Sequence, residues 1–123
     1  MTKKEGNTSE EIVETIIEGL QEKKAEEIVK IDLRNIDGSV CKYFIICNGT
    51  SSTHVAALAD SVEDYVREQI NEKMWRKEGL QNAQWALLDY VDVVVHIFQK
   101  EYRDFYRLEN LWADAPISQI QDV

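Results

Sequence analysis

The chain has 123 residues, 44% apolar and 30% charged, with a single proline and five glycines, a balance that fits one folded domain and excludes a disordered or low-complexity segment. Fourteen Lys and Arg stand against 23 Asp and Glu, and the formal charge of −9 speaks against a nucleic-acid phosphate surface and for a basic protein partner. Cys41 and Cys47 have no histidine at metal-ligand spacing and read as buried free thiols of a reducing compartment, while no apolar stretch approaches the roughly 18 residues of a membrane span, so the cytoplasm is the expected location.

Residues 1–8 form a polar lead, expected to be flexible. Thr8 and Glu11 then have capping-box spacing, and Ile12, Val13, Ile16, Ile17 and Leu20 recur on one helical face, so a first amphipathic helix is expected over residues 9–24. In residues 28–33 Val29, Ile31 and Leu33 alternate with Lys30 and Asp32, the pattern of a strand with one wet face, and Asp37-Gly38 marks a turn. The uninterrupted apolar run from Tyr43 to Cys47 ends at Asn48-Gly49 and predicts a strand buried on both faces at the sheet centre.

Thr50, Ser51 and Ser52 offer N-cap hydroxyls, after which Val55, Leu58, Ala59, Val62, Val66 and Ile70 trace a second helix to about residue 71. Met74-Trp75-Arg76 reads as a short strand before Glu78-Gly79. Residues 85–88 and 93–98 are β-rich and separated by Asp89-Tyr90-Val91-Asp92, a spacing that predicts an antiparallel hairpin. A last helix with an aromatic face (Tyr102, Phe105, Tyr106, Leu108, Trp112) stops at Asp114-Ala115-Pro116, leaving residues 117–123 as a loose tail. The fold class is therefore α/β: one domain over residues 9–116 with a mixed sheet of four or five strands covered by helices.

Motifs for chemistry are sparse. Gly49-Thr50-Ser51-Ser52 lies between a buried strand and a helix N-terminus, where an anion can bind, but it lacks the Lys of a phosphate loop and the repeated glycines of a dinucleotide site, so helix capping is the simpler reading. Asp89 and Asp92 flank a turn and could form a magnesium-binding carboxylate pair, though turn chemistry explains both, and no cofactor or metal is expected. His96, flanked by Val95 and Ile97, is expected on the opposite strand face as a packed or hydrogen-bonded histidine; a triad of Ser51 or Ser52, His96 and Asp89 or Asp92 has no nucleophile elbow to support it. Trp112 suits the core. For Trp85 and Tyr90, at the border of an acidic hairpin, core and protein interface both remain open.

Three blocks in order, NGTSSTHVAALADSVE, WALLDYVDVVVHIF and YRDFYRLENLWADAP, preceded by IVKIDLRNIDGSVCKYFII, resemble the signature segments of the Iojap-related ribosomal silencing factors, a match running from about residue 10 to 116. The resemblance implies a domain related in fold to nucleotidyltransferases without their catalytic carboxylates, and a non-enzymatic role. The implied role is binding to the fourteenth protein of the large ribosomal subunit, so that the small subunit cannot join and translation is repressed. A part in large-subunit assembly would use the same surface, and a homodimer is a further possibility of the family. Carried over by position, the partner-binding residues would be Trp85, Leu88, Asp89 and Tyr90, with His96 beside them. Val91 stands where the family usually has glycine in its LDYGD turn, a place where positive φ suits glycine and not a β-branched residue, and Cys41-Lys42 replaces a commoner Ala-Asp.

Overall fold

A computed structural model describes residues 6–112 and 114–121. Its elements are α1 (Ser9–Glu22), β1 (Glu26–Asp32), β2 (Tyr43–Gly49), α2 (Ser52–Ile70), β3 (Arg76–Glu78), β4 (Trp85–Asp89), β5 (Val93–Gln99), α3 (Lys100–Tyr106), a 3-10 helix (Leu108–Trp112) and β6 (Ile117–Gln119). The strands form one sheet in the order β3-β4-β5-β2-β1-β6. Only β2 and β5 run parallel, because α2 and the β3–β4 excursion make the crossover between them; every other pair is antiparallel.

The local signals act as their chemistry demands. The Thr8 hydroxyl accepts the Glu11 N–H at 3.0 Å and the Glu11 carboxylate accepts the Thr8 N–H at 2.8 Å, closing the capping box that starts α1. The Ser51 hydroxyl caps α2, which ends on Asn71 in the left-handed conformation. The helices lie side by side on one sheet face and touch at Gly19, where a Cβ would come within 3.3 Å of Tyr65 and Val62; the Ser61 hydroxyl donates to the Gly19 carbonyl at 2.8 Å.

All seven residues of β2 are buried. Ile45 and Cys47 pack under the helices with Val93, Val95 and Ile97 of β5, whereas Phe44 and Ile46 face the other side with Val29, Ile31, Val94 and Phe98. Burial pushes the Cys47 thiol up to about 12 and Cys41 to about 11, so both stay protonated. Among the described residues no helix is long and apolar enough to cross a membrane.

Three expectations need correction. The sheet has six strands, not four or five. Its additional edge, β6, comes from the segment expected to be a loose tail: residues 117–119 pair with β1, helped by the Asp32 N–H on the Pro116 carbonyl and the Ile120 N–H on the Ile28 carbonyl. Main-chain pairing along an open strand edge needs no apolar pattern, so a polar sequence gave no sign of it. The last helix breaks at Arg107, φ +50, and resumes as the 3-10 turn that carries Trp112. Residues 1–5 of the lead and 122–123 of the tail lie outside the described residues, and Thr8 is already part of the helix cap.

The hairpin between β4 and β5 turns on Val91. Its φ is +74, and the Asp92 N–H reaches back to the Tyr90 carbonyl at 2.9 Å, a three-residue γ-turn whose centre is strained for any residue with a branched Cβ. The side chain is 60% exposed, so little burial offsets the strain. Val91→Gly is expected to stabilise the fold by about 1 kcal/mol, the left-handed penalty less the greater chain entropy of glycine, and to raise the thermal midpoint by roughly 4 °C in a melting experiment.

Candidate docking surface

Strand alternation sends Trp85, Leu87 and Asp89 of β4 to the sheet face opposite α1 and α2. Cross-strand pairing sets them against Phe98, His96 and Val94 of β5, and Arg76 of β3 stands against Asp89. The C-terminal segment roofs one end of this face. Tyr106 lies 4.8 Å from the Trp85 ring, Trp85 stacks on Phe98 at 4.9 Å, and Trp112 meets Phe44 edge-on at 5.7 Å. Trp85 and Leu87 remain partly accessible.

His96 lies beneath them. The Trp85 indole N–H donates to its Nδ1 at 3.0 Å, which makes Nδ1 the acceptor and places the proton of the neutral ring on Nε2. Phe44 packs edge-on against the imidazole at 4.7 Å, and Nε2 meets no acceptor among the described residues. Burial pushes the His96 pKa down to about 4. The histidine is thus a prop that fixes the Trp85 rotamer from below; at 5% exposure it offers a partner little contact of its own.

Asp89 is committed to the turn: Oδ1 accepts the Val91 N–H at 2.7 Å and Oδ2 accepts from Arg76 Nε at 3.4 Å. Asp92 is engaged elsewhere, taking the Ser9 hydroxyl at 3.2 Å with Lys42 at 3.9 Å. The two carboxylates therefore serve different neighbours, and no group of three or more His, Cys, Asp or Glu among the described residues is arranged to hold a metal.

Two residues expected at the interface are elsewhere. Leu88 is fully buried and Tyr90 is 4% exposed, both in the core under the helices. Leu87, not Leu88, shares the face of Trp85 and Asp89, and the two-residue period counted from Trp85 already required it. Trp75, which the sequence also marks as a candidate interface ring, is 65% exposed beside Arg76, whose guanidinium lies 5.0 Å over its ring.

The Gly49–Ser52 loop is filled by its own chain. The Thr50 N–H donates to His54 Nδ1 at 2.9 Å, the Ser51 hydroxyl accepts the His54 N–H at 3.1 Å, and His54 Nε2 donates to the Lys23 carbonyl at 2.7 Å. A Cβ at Gly49 would stand 3.1 Å from that imidazole, so the glycine makes room for the histidine, and the serine reads as a cap. The paper triad dissolves as well, since Ser51 is capping α2 and His96 is bonded to Trp85.

The His96 pKa sets a pH dependence. Its folded value, about 4, lies below the unfolded value near 6.5, so between these two the unfolded state binds the extra proton and stability falls as pH falls. Urea unfolding at pH 7 and pH 4.5 is expected to differ by a few kcal/mol from this group. A His96 titration midpoint near 6.5 by NMR would contradict the burial argument.

Comparison with known proteins agrees with this architecture. The family model described as "Ribosomal silencing factor during starvation" matches residues 6–123. A ribosomal silencing factor of Halalkalibacterium halodurans is 36% identical over 116 residues, covering 94% of this chain and 97% of its own length. One from Bacillus subtilis is 40% identical over 99 residues, covering 80% and 82%, and the chloroplastic protein Iojap of Zea mays is 35% identical over 60% of this chain and 32% of its own. A crystal structure from Chromobacterium violaceum superposes with a TM-score of 0.82 at 33% identity, covering 87% of this chain and 88% of that one. Matched over residues 6–123 in sequence and over 87% of its length in fold, the chain belongs to the ribosomal silencing factor family.

Proposed function

We propose that this chain silences translation by docking the partly roofed sheet face, with Trp85, Leu87 and Asp89 in contact and His96 as their support, onto the fourteenth protein of the large ribosomal subunit. Its bulk then stands where the small subunit must join. The observation that carries this reading is that face: an apolar sheet surface that α3 and the 3-10 helix cover at one end only, with a tryptophan held in a fixed rotamer at the margin. Rigid aromatic anchors beside a polar rim are the usual centre of a protein interface. An area of roughly 1,200–2,000 Å² in total suffices for a stable complex, and the charge of −9 suits a basic ribosomal protein. Activity in the cytoplasm follows from such a partner.

Sucrose-gradient sedimentation of purified large and small subunits, in magnesium that drives them together, tests this. The protein is expected to travel with the large subunit and to lower the joined-ribosome peak. Trp85→Ala, and Leu87→Ser as a variant less disturbing to packing, are each expected to weaken binding by about 1–3 kcal/mol while retaining a cooperative melt. Full binding by both folded variants would move the interface to another face, and no binding by the unaltered protein would end the docking reading.

A further inference from the structure

Beyond the Trp85 face, at the hairpin end of the sheet, lies an open cleft of about 460 Å³ lined by Val40, Trp75, Arg76, Asp89, Val91 and Val94. Three of these are among the most exposed large apolar side chains of the described residues: Val40 at 85%, Trp75 at 65% and Val91 at 60%. They come from three separate stretches, the loop before β2, the lead into β3 and the β4–β5 turn. Their convergence is therefore a product of the fold. The Trp75 N–H on the Asp89 carbonyl at 2.8 Å fixes the tryptophan against the end of β4.

The charges in the cleft already answer one another. Arg76 lies over the Trp75 ring, pairs with Glu78 at 2.8 Å and reaches Asp89 at 3.4 Å. What remains on offer is apolar contact. Val91 supplies part of it from a backbone at φ +74, where a β-branched residue is disfavoured and its exposed side chain recovers little in packing. Strain at an exposed apolar residue, next to an exposed tryptophan, is hard to account for by the stability of the isolated chain.

We propose that this cleft receives an aliphatic side chain carried on a basic segment of the large-subunit protein partner, and that Val91 occupies its strained turn to make that contact. The proposal rests on the docking reading above and extends its surface past Asp89, which belongs to both the face and the cleft. The occupant's apolar tip follows from the lining, and its basic flanks from the net charge of −9 and from Asp92, half exposed at the same hairpin, whose Oδ2 meets the Ser9 hydroxyl at 3.2 Å and Lys42 at 3.9 Å.

The experiment is a titration of purified large subunits with the full chain, read by cosedimentation at fixed salt, comparing the unaltered protein with Val91→Gly, Trp75→Ser and Trp85→Ala. Val91→Gly is expected to melt at a higher temperature and yet bind roughly three- to tenfold more weakly, a combination that loss of folding cannot produce; Trp75→Ser is expected to lose roughly tenfold. If both bind as tightly as the unaltered protein while Trp85→Ala is weakened, the cleft has no part in docking and the docking reading stands alone. If the unaltered protein does not cosediment, both fall together. If the two cleft variants instead dissolve a dimer in analytical ultracentrifugation and leave subunit binding untouched, the occupant is a second copy and the proposal is overturned.

Discussion

Strand β2 needs an apolar layer on both sides. Seven consecutive buried residues, paired in parallel with β5 and antiparallel with β1, leave no side of the strand fit for water. On one side α1 and α2 supply the layer with their amphipathic faces, joined closely at Gly19. On the other side, among the described residues, the cover comes from α3, the 3-10 helix and the Leu33, Ile36 and Cys41 side chains of the segment between β1 and β2, which together do not span the whole sheet. The partly covered face around Trp85 and Leu87 is what that shortage leaves, and it is the surface on which the proposed function depends.

The partial roof has a buried polar anchor in Arg103. Arg103 of α3 is 6% exposed; its Nη1 donates to the Glu27 carbonyl and to Asn48 Oδ1, at 2.9 Å for the asparagine, and its Nη2 donates to Glu109 at 2.7 Å. This single guanidinium ties α3 to the bulge in β1, to the end of β2 and to the 3-10 helix. Glu27 sits at that bulge with φ +51, so the irregularity in β1 falls at the carbonyl that meets the arginine. A buried cation held by a carboxylate and two neutral acceptors tolerates little displacement, because losing any partner strands charge away from water. The Tyr106 and Trp112 rings above Trp85 and Phe44 inherit that fixed position.

The polar groups of the loop after β2 and of the β4–β5 hairpin are engaged in structure. The loop after β2 gives its Thr50 N–H to His54 and its Ser51 hydroxyl to the helix cap, and His54 in turn ties the loop to the end of α1. Asp89 holds the hairpin turn and Asp92 anchors the start of α1 through Ser9. Fold likeness alone says little about activity, and here the side chains, one by one, direct attention from the loop to the sheet face.

Much of this was legible in the sequence, for reasons tied to local chemistry. The capping box at Thr8, the periodicity of α1 and α2, the doubly buried run of β2 and the hairpin spacing each depend on neighbours within a few residues. At Val91 the family resemblance marked a residue unsuited to the positive φ that glycine takes in this turn, and the structure keeps φ +74 there all the same. Of the expected partner-binding residues, Trp85 and Asp89 share the sheet face opposite the helices, whereas Leu88 and Tyr90 turn into the core, as the two-residue strand period requires. What only the tertiary structure decided were contacts between distant segments. The pairing of β6 with β1 uses backbone groups that carry no sequence signature. The bond from Trp85 to His96 needs two strands in register, and the Arg103 anchor joins residues more than fifty positions apart. Sequence alone determined the elements whose signals are local, α1, α2, β2 and the β4–β5 hairpin; the fold decided the edge strand β6 and which side chains remain on the surface, because both depend on how far the rest of the chain can reach.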